Sequence, residues 1–183
     1  MTYTDDDYPS VEKLFVGVPL LLGMEGSTVR LNDEWLLTVG HNAPILAMQL
    51  RDVVYHPTCD VALIRSQGIS TTSTGLVYPG EKVTHVGYPS AQPLTANVGQ
   101  YVGDVIQPDG CQYSATTASV MGGMSGGGVF NSEGELVGVS VGYSKGQVVW
   151  DSGEKLNDPT IFISLAGIED WLSNTTGGPM LQR

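Results

Sequence analysis

The sequence predicts an all-β protein made of two packed antiparallel barrels, with one short helix near its C-terminus. Three observations carry that prediction. The chain has 183 residues, 41% of them apolar, which is enough to bury a sizeable core in one domain or in two small lobes sharing an interface. Only 15% of residues are charged, whereas Gly (24) and Pro (10) are abundant, a composition that suits many short strands joined by tight turns. Short β-type runs recur along the chain, and helical spacing emerges once, close to the end.

Residues 1–10 are polar and acidic, and order is expected to begin near Val11. Strands are then predicted at 14–22, 27–31, 34–39, 45–50 and 61–65, with Gly, Asn or Asp at most breaks. These form a first lobe over about 11–68. Residues 66–80 are rich in Ser, Thr and Gly and lack apolar periodicity, so they read as the connection between lobes. The second lobe, about 79–163, is predicted from runs at 82–87, 95–106, 111–117, 127–130, 136–141, 147–150 and 160–163. In 164–173, Leu165, Ile168, Trp171 and Leu172 fall at three- and four-residue spacing, as on one helix face, and 174–183 is expected to fray.

Charge and composition exclude several function classes. Eight basic against nineteen acidic residues give a formal charge of −11, a field that repels phosphate backbones and anionic headgroups, so nucleic acid and membrane are not expected partners. The apolar run at 14–22 is far shorter than the roughly 20 residues a spanning helix needs. It is preceded by Asp5, Asp6 and Asp7 rather than by a basic region, so it does not read as an export signal. Two cysteines, Cys59 and Cys111, are too few for a disulfide framework and are expected as free thiols of a cytoplasmic protein.

The chemistry centres on Ser125, which stands among five glycines in Gly122-Gly-Met-Ser-Gly-Gly-Gly128. A flexible linker is a poor reading, because 115–120 and Val129-Phe130 anchor the run in apolar sequence on both sides. A phosphate loop is also poor, since no Gly-Lys-Ser/Thr follows. A nucleophile for acyl transfer explains the glycines: they let the amides of Gly123 and Ser125 converge as an oxyanion hole and let a substrate main chain approach. Gly-x-Ser-x-Gly also marks the nucleophile elbow of α/β-hydrolases, where histidine follows serine. Here His41, His56 and His85 all precede Ser125, and Gly126-Gly127-Gly128 is a poor start for the helix an elbow requires.

A serine hydroxyl needs a neighbouring base. His41 closes Leu36-Leu-Thr-Val-Gly-His41, a strand ending in small residues that can present an imidazole to a cleft, whereas His56 precedes Pro57 in a turn and His85 lies mid-strand. The base needs an acidic acceptor to fix its tautomer. Asp60 opens the apolar run Asp-Val-Ala-Leu-Ile, where a lone carboxylate is costly unless it is hydrogen-bonded, while Asp52 can pair with adjacent Arg51 at the surface.

The blocks Leu-Thr-Val-Gly-His41, Asp60-Val-Ala-Leu-Ile and Gly-Met-Ser125-Gly-Gly, in that order, resemble the three signature blocks of chymotrypsin-like serine proteases. Pro79-Gly-Glu-Lys-Val-Thr-His-Val-Gly-Tyr-Pro89 and Gly134-Glu-Leu-Val-Gly-Val-Ser140 resemble second-barrel strands of bacterial high-temperature-requirement proteases and their viral relatives. The resemblance spans roughly residues 12–173. It implies six-stranded Greek-key barrels, a catalytic triad of His41, Asp60 and Ser125, a polypeptide substrate and no cofactor. Departures are also informative. Met124 replaces the acid that pairs with a new amino terminus in digestive members, so activation by that ion pair is not expected. Gly128 replaces a usual proline, and the 19 residues from His41 to Asp60 imply trimmed loops.

Where the family sets side-chain preference, this chain has the small, uncharged Ser119. The strand Ser140, Val141, Gly142 and Tyr143 is expected to pair with substrate main chain, with Tyr143 narrowing the pocket. Small apolar or neutral side chains are therefore the expected preference. A metal site drawn from His56, Cys59, Asp60, His85 and Cys111 has only one close pair, His56 and Cys59, and is not expected. The function reads as an endopeptidase, with a viral or phage maturation protease ahead of a bacterial quality-control enzyme. A catalytically silent peptide-binding module is the alternative.

Overall fold

The computed structural model describes residues 7–17, 24–70 and 72–178. The first lobe is an antiparallel sheet of β1 (Val11–Val16), β2 (Met24–Arg30), β3 (Trp35–Thr38), β4 (Val53–Tyr55) and β5 (Ala62–Arg65), in the order β1-β2-β3-β5-β4. The second is a closed six-stranded barrel of β6 (Lys82–Gly87), β7 (Thr95–Ile106), β8 (Gln112–Thr116), β9 (Gly128–Asn131), β10 (Leu136–Tyr143) and β13 (Thr160–Ser164), in the order β10-β13-β8-β7-β6-β9. A hairpin of β11 (Gln147–Val149) and β12 (Lys155–Asn157) projects between β10 and β13.

The expectation of two closed barrels is thus met in only one lobe among the described residues. One reason is the run at 45–50, expected as a strand, which lies in the helix α1 (Ala43–Met48). A short apolar run does not by itself distinguish strand from buried helix, and Pro44, in the first helical turn, needs no amide donor there. Ile45 and Leu46 turn inward onto Leu14, Leu36 and Ile64. The part of the 14–22 run beyond residue 17 lies outside the described residues.

Other boundaries follow the sequence pattern closely. β6 and β7 match the predicted 82–87 and 95–106, whereas β4 and β12, each three residues long, were too short to show a period. After a 3₁₀ turn at Ala166–Ile168, the helix α2 (Glu169–Thr176) starts and ends later than expected, so the first three residues of the supposed tail are helical. Gly177, at φ 88°, ends it with a left-handed cap and donates its N–H to the Ser173 carbonyl.

One apolar cluster runs through both lobes, joining Leu37, Val61 and Leu63 of the sheet to Val86, Val139 and Ile163 of the barrel. Leu172 of α2 is fully buried in it. Alternation along the strands places these residues on inner faces, and burying them together holds the two lobes in one register.

Cys59 and Cys111 form a disulfide with Cα atoms 5.4 Å apart, contrary to the free thiols expected. Fifty-two residues separate them in sequence, so no local pattern could have announced the pairing.

Candidate active site

The Ser125 loop sits where the lobes meet. Gly123 and Gly126 take φ of 94° and 95°, conformations that L side chains rarely adopt. A Cβ on Gly126 would stand 2.0 Å from the Ser27 carbonyl oxygen and 2.3 Å from Thr38 Oγ1, so glycine is required for space as well as for backbone angle. The loop is stitched to the first lobe. Ser27 Oγ donates to the Gly123 carbonyl (2.8 Å) and accepts from Tyr88 N–H (2.9 Å), and Ser27 N–H donates to the Ser125 carbonyl (3.0 Å). Among the described residues, no group accepts from the N–H of Gly123 or Ser125. Those two amides are available to an oxyanion. Met124, next to Ser125, is fully buried.

His41 lies in a 3₁₀ turn, Gly40–Asn42, directly after β3. Asp60 holds it with both oxygens: Oδ2 stands 2.6 Å from Nδ1, and Oδ1 accepts the His41 N–H at 2.7 Å. Gly40 makes this approach possible, since even a Cβ there would lie 3.2 Å from Asp60 Oδ1. With Nδ1 so engaged, Nε2 is the ring nitrogen left to exchange a proton. The Asp60 side chain keeps 26% of its surface exposed, so it is held by hydrogen bonds more than by burial.

Asn42, which the sequence reading passed over, ties the His41 turn to the Ser125 loop. Its Nδ2 donates to Thr38 Oγ1 (3.1 Å) and to the Ser125 carbonyl (3.2 Å). A partner 83 residues away leaves no trace in local sequence, where Gly-His-Asn-Ala-Pro reads only as a turn. Ser27 escaped notice for the same reason.

The competing residues have other duties. His56 Nδ1 accepts the amides of Thr58 (3.1 Å) and Cys59 (2.9 Å), and burial lowers its pKa. His85 is fully buried between Ser140 Oγ (2.7 Å) and Thr116 Oγ1 (3.1 Å), and desolvation pushes it down to about 3. Asp52 is exposed and faces Arg65 Nε at 3.9 Å, rather than the neighbouring Arg51 that the sequence suggested.

The expected substrate strand is only partly free. Ser140 is buried, its N–H donates to the Gly127 carbonyl (2.9 Å) and its carbonyl accepts from Gly126 N–H (2.8 Å), so it braces the serine loop and is not available to a peptide. The Val141 carbonyl faces Ser125 and accepts its Oγ–H at 2.9 Å. Beyond Gly142, Ser144 N–H turns to the Pro159 carbonyl, so alternation aims the main chain of Tyr143 the other way. The Tyr143 hydroxyl donates to the Val120 carbonyl and accepts from Val120 N–H at 3.2 Å, which lays the ring across the space next to exposed Ser119. Ser119 and Tyr143 line one pocket of about 240 Å³ with residues of the β12–β13 connection. A larger cleft of about 600 Å³ runs beside Asp60 along Val141, Tyr143 and Lys145, with Asp109 and Tyr113 opposite.

Comparison with known proteins bears on the fold and the family. The family model described as trypsin-like peptidase domain matches residues 47–139, just over half of the chain, including Asp60 and Ser125. No curated protein sequence matches the chain. Among solved structures, an inactive Ser343Ala mutant of Rv3671c from M. tuberculosis H37Rv is 17% identical with a TM-score of 0.63, covering 94% of this chain and 90% of that one. Deg5 is 16% identical with a TM-score of 0.66, covering 93% of this chain and 91% of its own. The HtrA-type protease AlgW, solved with a decapeptide, is 19% identical with a TM-score of 0.66, and 93% of this chain matches 66% of AlgW. At such identities the structures speak to the fold, and it is the family match that shows this chain to be a serine endopeptidase of the trypsin-like peptidase family.

Proposed function

We propose that His41, Asp60 and Ser125 are the catalytic triad of this endopeptidase. The observation that carries the reading is the two-point grip of Asp60 on His41, on a turn that Asn42 joins to the Ser125 loop. As a peptide enters, Ser125 Oγ leaves the Val141 carbonyl and gives its proton to His41 Nε2 while Oγ attacks the scissile carbonyl carbon. The amides of Gly123 and Ser125 receive the oxyanion. His41 then protonates the departing amine, an acyl-enzyme remains on Ser125, and water activated by His41 releases it. Asp60 fixes the ring tautomer and stabilises the imidazolium.

Substrate main chain pairs with the edge at Val141 and Tyr143 by strand addition, and residues before the cut extend along the cleft beside Asp60. The Tyr143–Val120 bridge limits the side chain at the cleaved residue to small apolar or neutral groups. The likeness to HtrA-type proteases favours a protein quality-control role over the viral maturation role that the sequence reading put first. The chain covers about two thirds of AlgW, so that protein's wider assembly does not carry over. The Cys59–Cys111 bridge favours an oxidising compartment over the cytoplasm, because such bonds rarely persist among cytosolic thiols. The peptidase domain comprises both lobes and α2.

Ser125→Ala is expected to lower kcat by about 10⁴-fold or more with little change in KM. A fluorophosphonate should label Ser125 in the parent protein, read by mass spectrometry. A folded protein that is neither labelled nor able to cleave would favour a silent peptide-binding module, and an alanine variant that cleaves like the parent would overturn Ser125 as the nucleophile.

A further inference from the structure

The turn that carries Asp60 is anchored in an asymmetric way. His56 N–H donates to the Val61 carbonyl (3.0 Å), Thr58 and Cys59 amides go to His56 Nδ1, and Val61 N–H goes to the Cys59 carbonyl (2.8 Å). Asp60 N–H alone leaves the turn: it donates to Tyr113 Oη at 3.1 Å, across the lobe boundary. Next to it, Cys59 is bonded covalently to Cys111. Tyr113 is on β8 and Cys111 immediately precedes it, so both anchors come from the β7–β8 hairpin. That hairpin is itself closed tightly: Gln107 N–H donates to the Cys111 carbonyl (2.9 Å), and Asp109 Oδ1 accepts Cys111 N–H (2.9 Å). Burial raises the Tyr113 pKa, so the group that accepts the Asp60 amide is the neutral hydroxyl.

Asp60 has to present two oxygens to two hydrogens of His41, and with a quarter of its side chain exposed, side-chain packing alone does not fix its place. Its backbone anchors must therefore supply the precision, and a misplacement of about 1 Å at such a group can cost on the order of 100-fold in rate.

We propose that Tyr113 and the Cys59–Cys111 disulfide are positioning elements for Asp60, so that turnover depends on an intact bridge. The inference rests on the triad reading above. Reduction by a dithiol breaks the S–S bond and delivers two electrons and two protons. It leaves two cysteine thiols, with the reductant oxidised to its cyclic disulfide, and it frees the Asp60 turn from the hairpin on one of its two anchors.

The test compares steady-state cleavage of a peptide substrate by the parent with and without dithiothreitol, by Tyr113→Phe, by Cys59→Ser/Cys111→Ser, and by Tyr101→Phe. The last removes a hydroxyl on the adjacent strand that bonds Asp104 and not Asp60. Tyr113→Phe and the reduced parent are expected to lose about tenfold or more in kcat with KM within about twofold. The acid limb of their kcat/KM profiles should move to lower pH, because a loosely held carboxylate stabilises imidazolium less. The double serine variant should match the reduced parent and ignore dithiothreitol, and Tyr101→Phe should keep the parent kcat and profile. If reduction unfolds the protein by near-ultraviolet circular dichroism, Tyr113→Phe with its bridge intact decides. Parent-like kcat and pH profile in Tyr113→Phe, with Asp60→Asn and Ser125→Ala inactive, would overturn the positioning role alone. Activity retained in Asp60→Asn and Ser125→Ala would instead remove the triad and this inference with it.

Discussion

At the residue scale, the proposed substrate preference turns on Tyr143. Its ring spans from β10 to the Val120 main chain and is held there by two hydrogen bonds to one residue, so it acts as a fixed crossbar. Tyr143→Ala should open the space beside Ser119 and raise kcat/KM for Leu or Phe at the cleaved position relative to Ala by about tenfold, the range one buried hydrophobic contact discriminates. Profiling with a peptide library measures this, and an unchanged preference would mean the pocket lies elsewhere. Ser125, His41 and Asp60, the proposed triad, stand out in local sequence because each proposed role needs a distinctive neighbourhood: glycines around a nucleophile, small residues before a base, an apolar strand after an acid. Asn42 and Ser27 were not legible, because their roles consist of bonds to Ser125 and Gly123, 83 and 96 residues away.

Among the elements, the second barrel is braced from within by His85 on β6, which bonds Ser140 on β10 and Thr116 on β8 and packs edge-on against Phe162 on β13. Thr116 Oγ1 also accepts Ala118 N–H (3.1 Å), and Ser140 braces the serine loop, so this neutral imidazole supports two walls of the site. Burial depresses its pKa to about 3, below the unfolded value. The unfolded chain therefore takes up the proton first, and the contribution of His85 to stability is complete above about pH 6.5 and lost as pH falls toward 3. The slope is about 1.4 kcal/mol per pH unit. His56 shifts in the same direction, so the useful quantity is the difference between parent and His85→Gln in urea unfolding at pH 6.5 and pH 5. His85→Gln is expected to flatten the slope, and parallel slopes would place the acid sensitivity elsewhere. At this scale the strands β6 and β7 were readable because their alternation is long enough to register. Residues 45–50 were misread because six apolar-rich residues satisfy either period, and contact with Leu14, Leu36 and Ile64 settled the outcome as a helix.

Across the whole molecule, the Cys59–Cys111 bridge closes a long loop between lobes, and in the chain-entropy picture a separation of 52 residues corresponds to about 4 kcal/mol of stabilisation. Guanidinium unfolding of Cys59→Ser/Cys111→Ser should show a loss of about 2–4 kcal/mol. A midpoint equal to that of the parent would mean that the shared apolar core alone fixes the lobes. That core supplies the rest of the union, since Leu37 and Leu63 of the first lobe and Val86 and Val139 of the second are buried in one apolar cluster.

Sequence by itself determined the mostly β character, the places of most second-lobe strands along the chain and the three residues proposed as the triad, because composition, period and backbone-special glycines act over a few neighbouring positions. Tertiary structure alone decided that, among the described residues, the second lobe closes and the first forms an open sheet, that two cysteines expected free are joined, and that Asp60 N–H takes its anchor from Tyr113. Each of these depends on which distant segments are brought within bonding distance, and the packing of the two lobes sets that proximity.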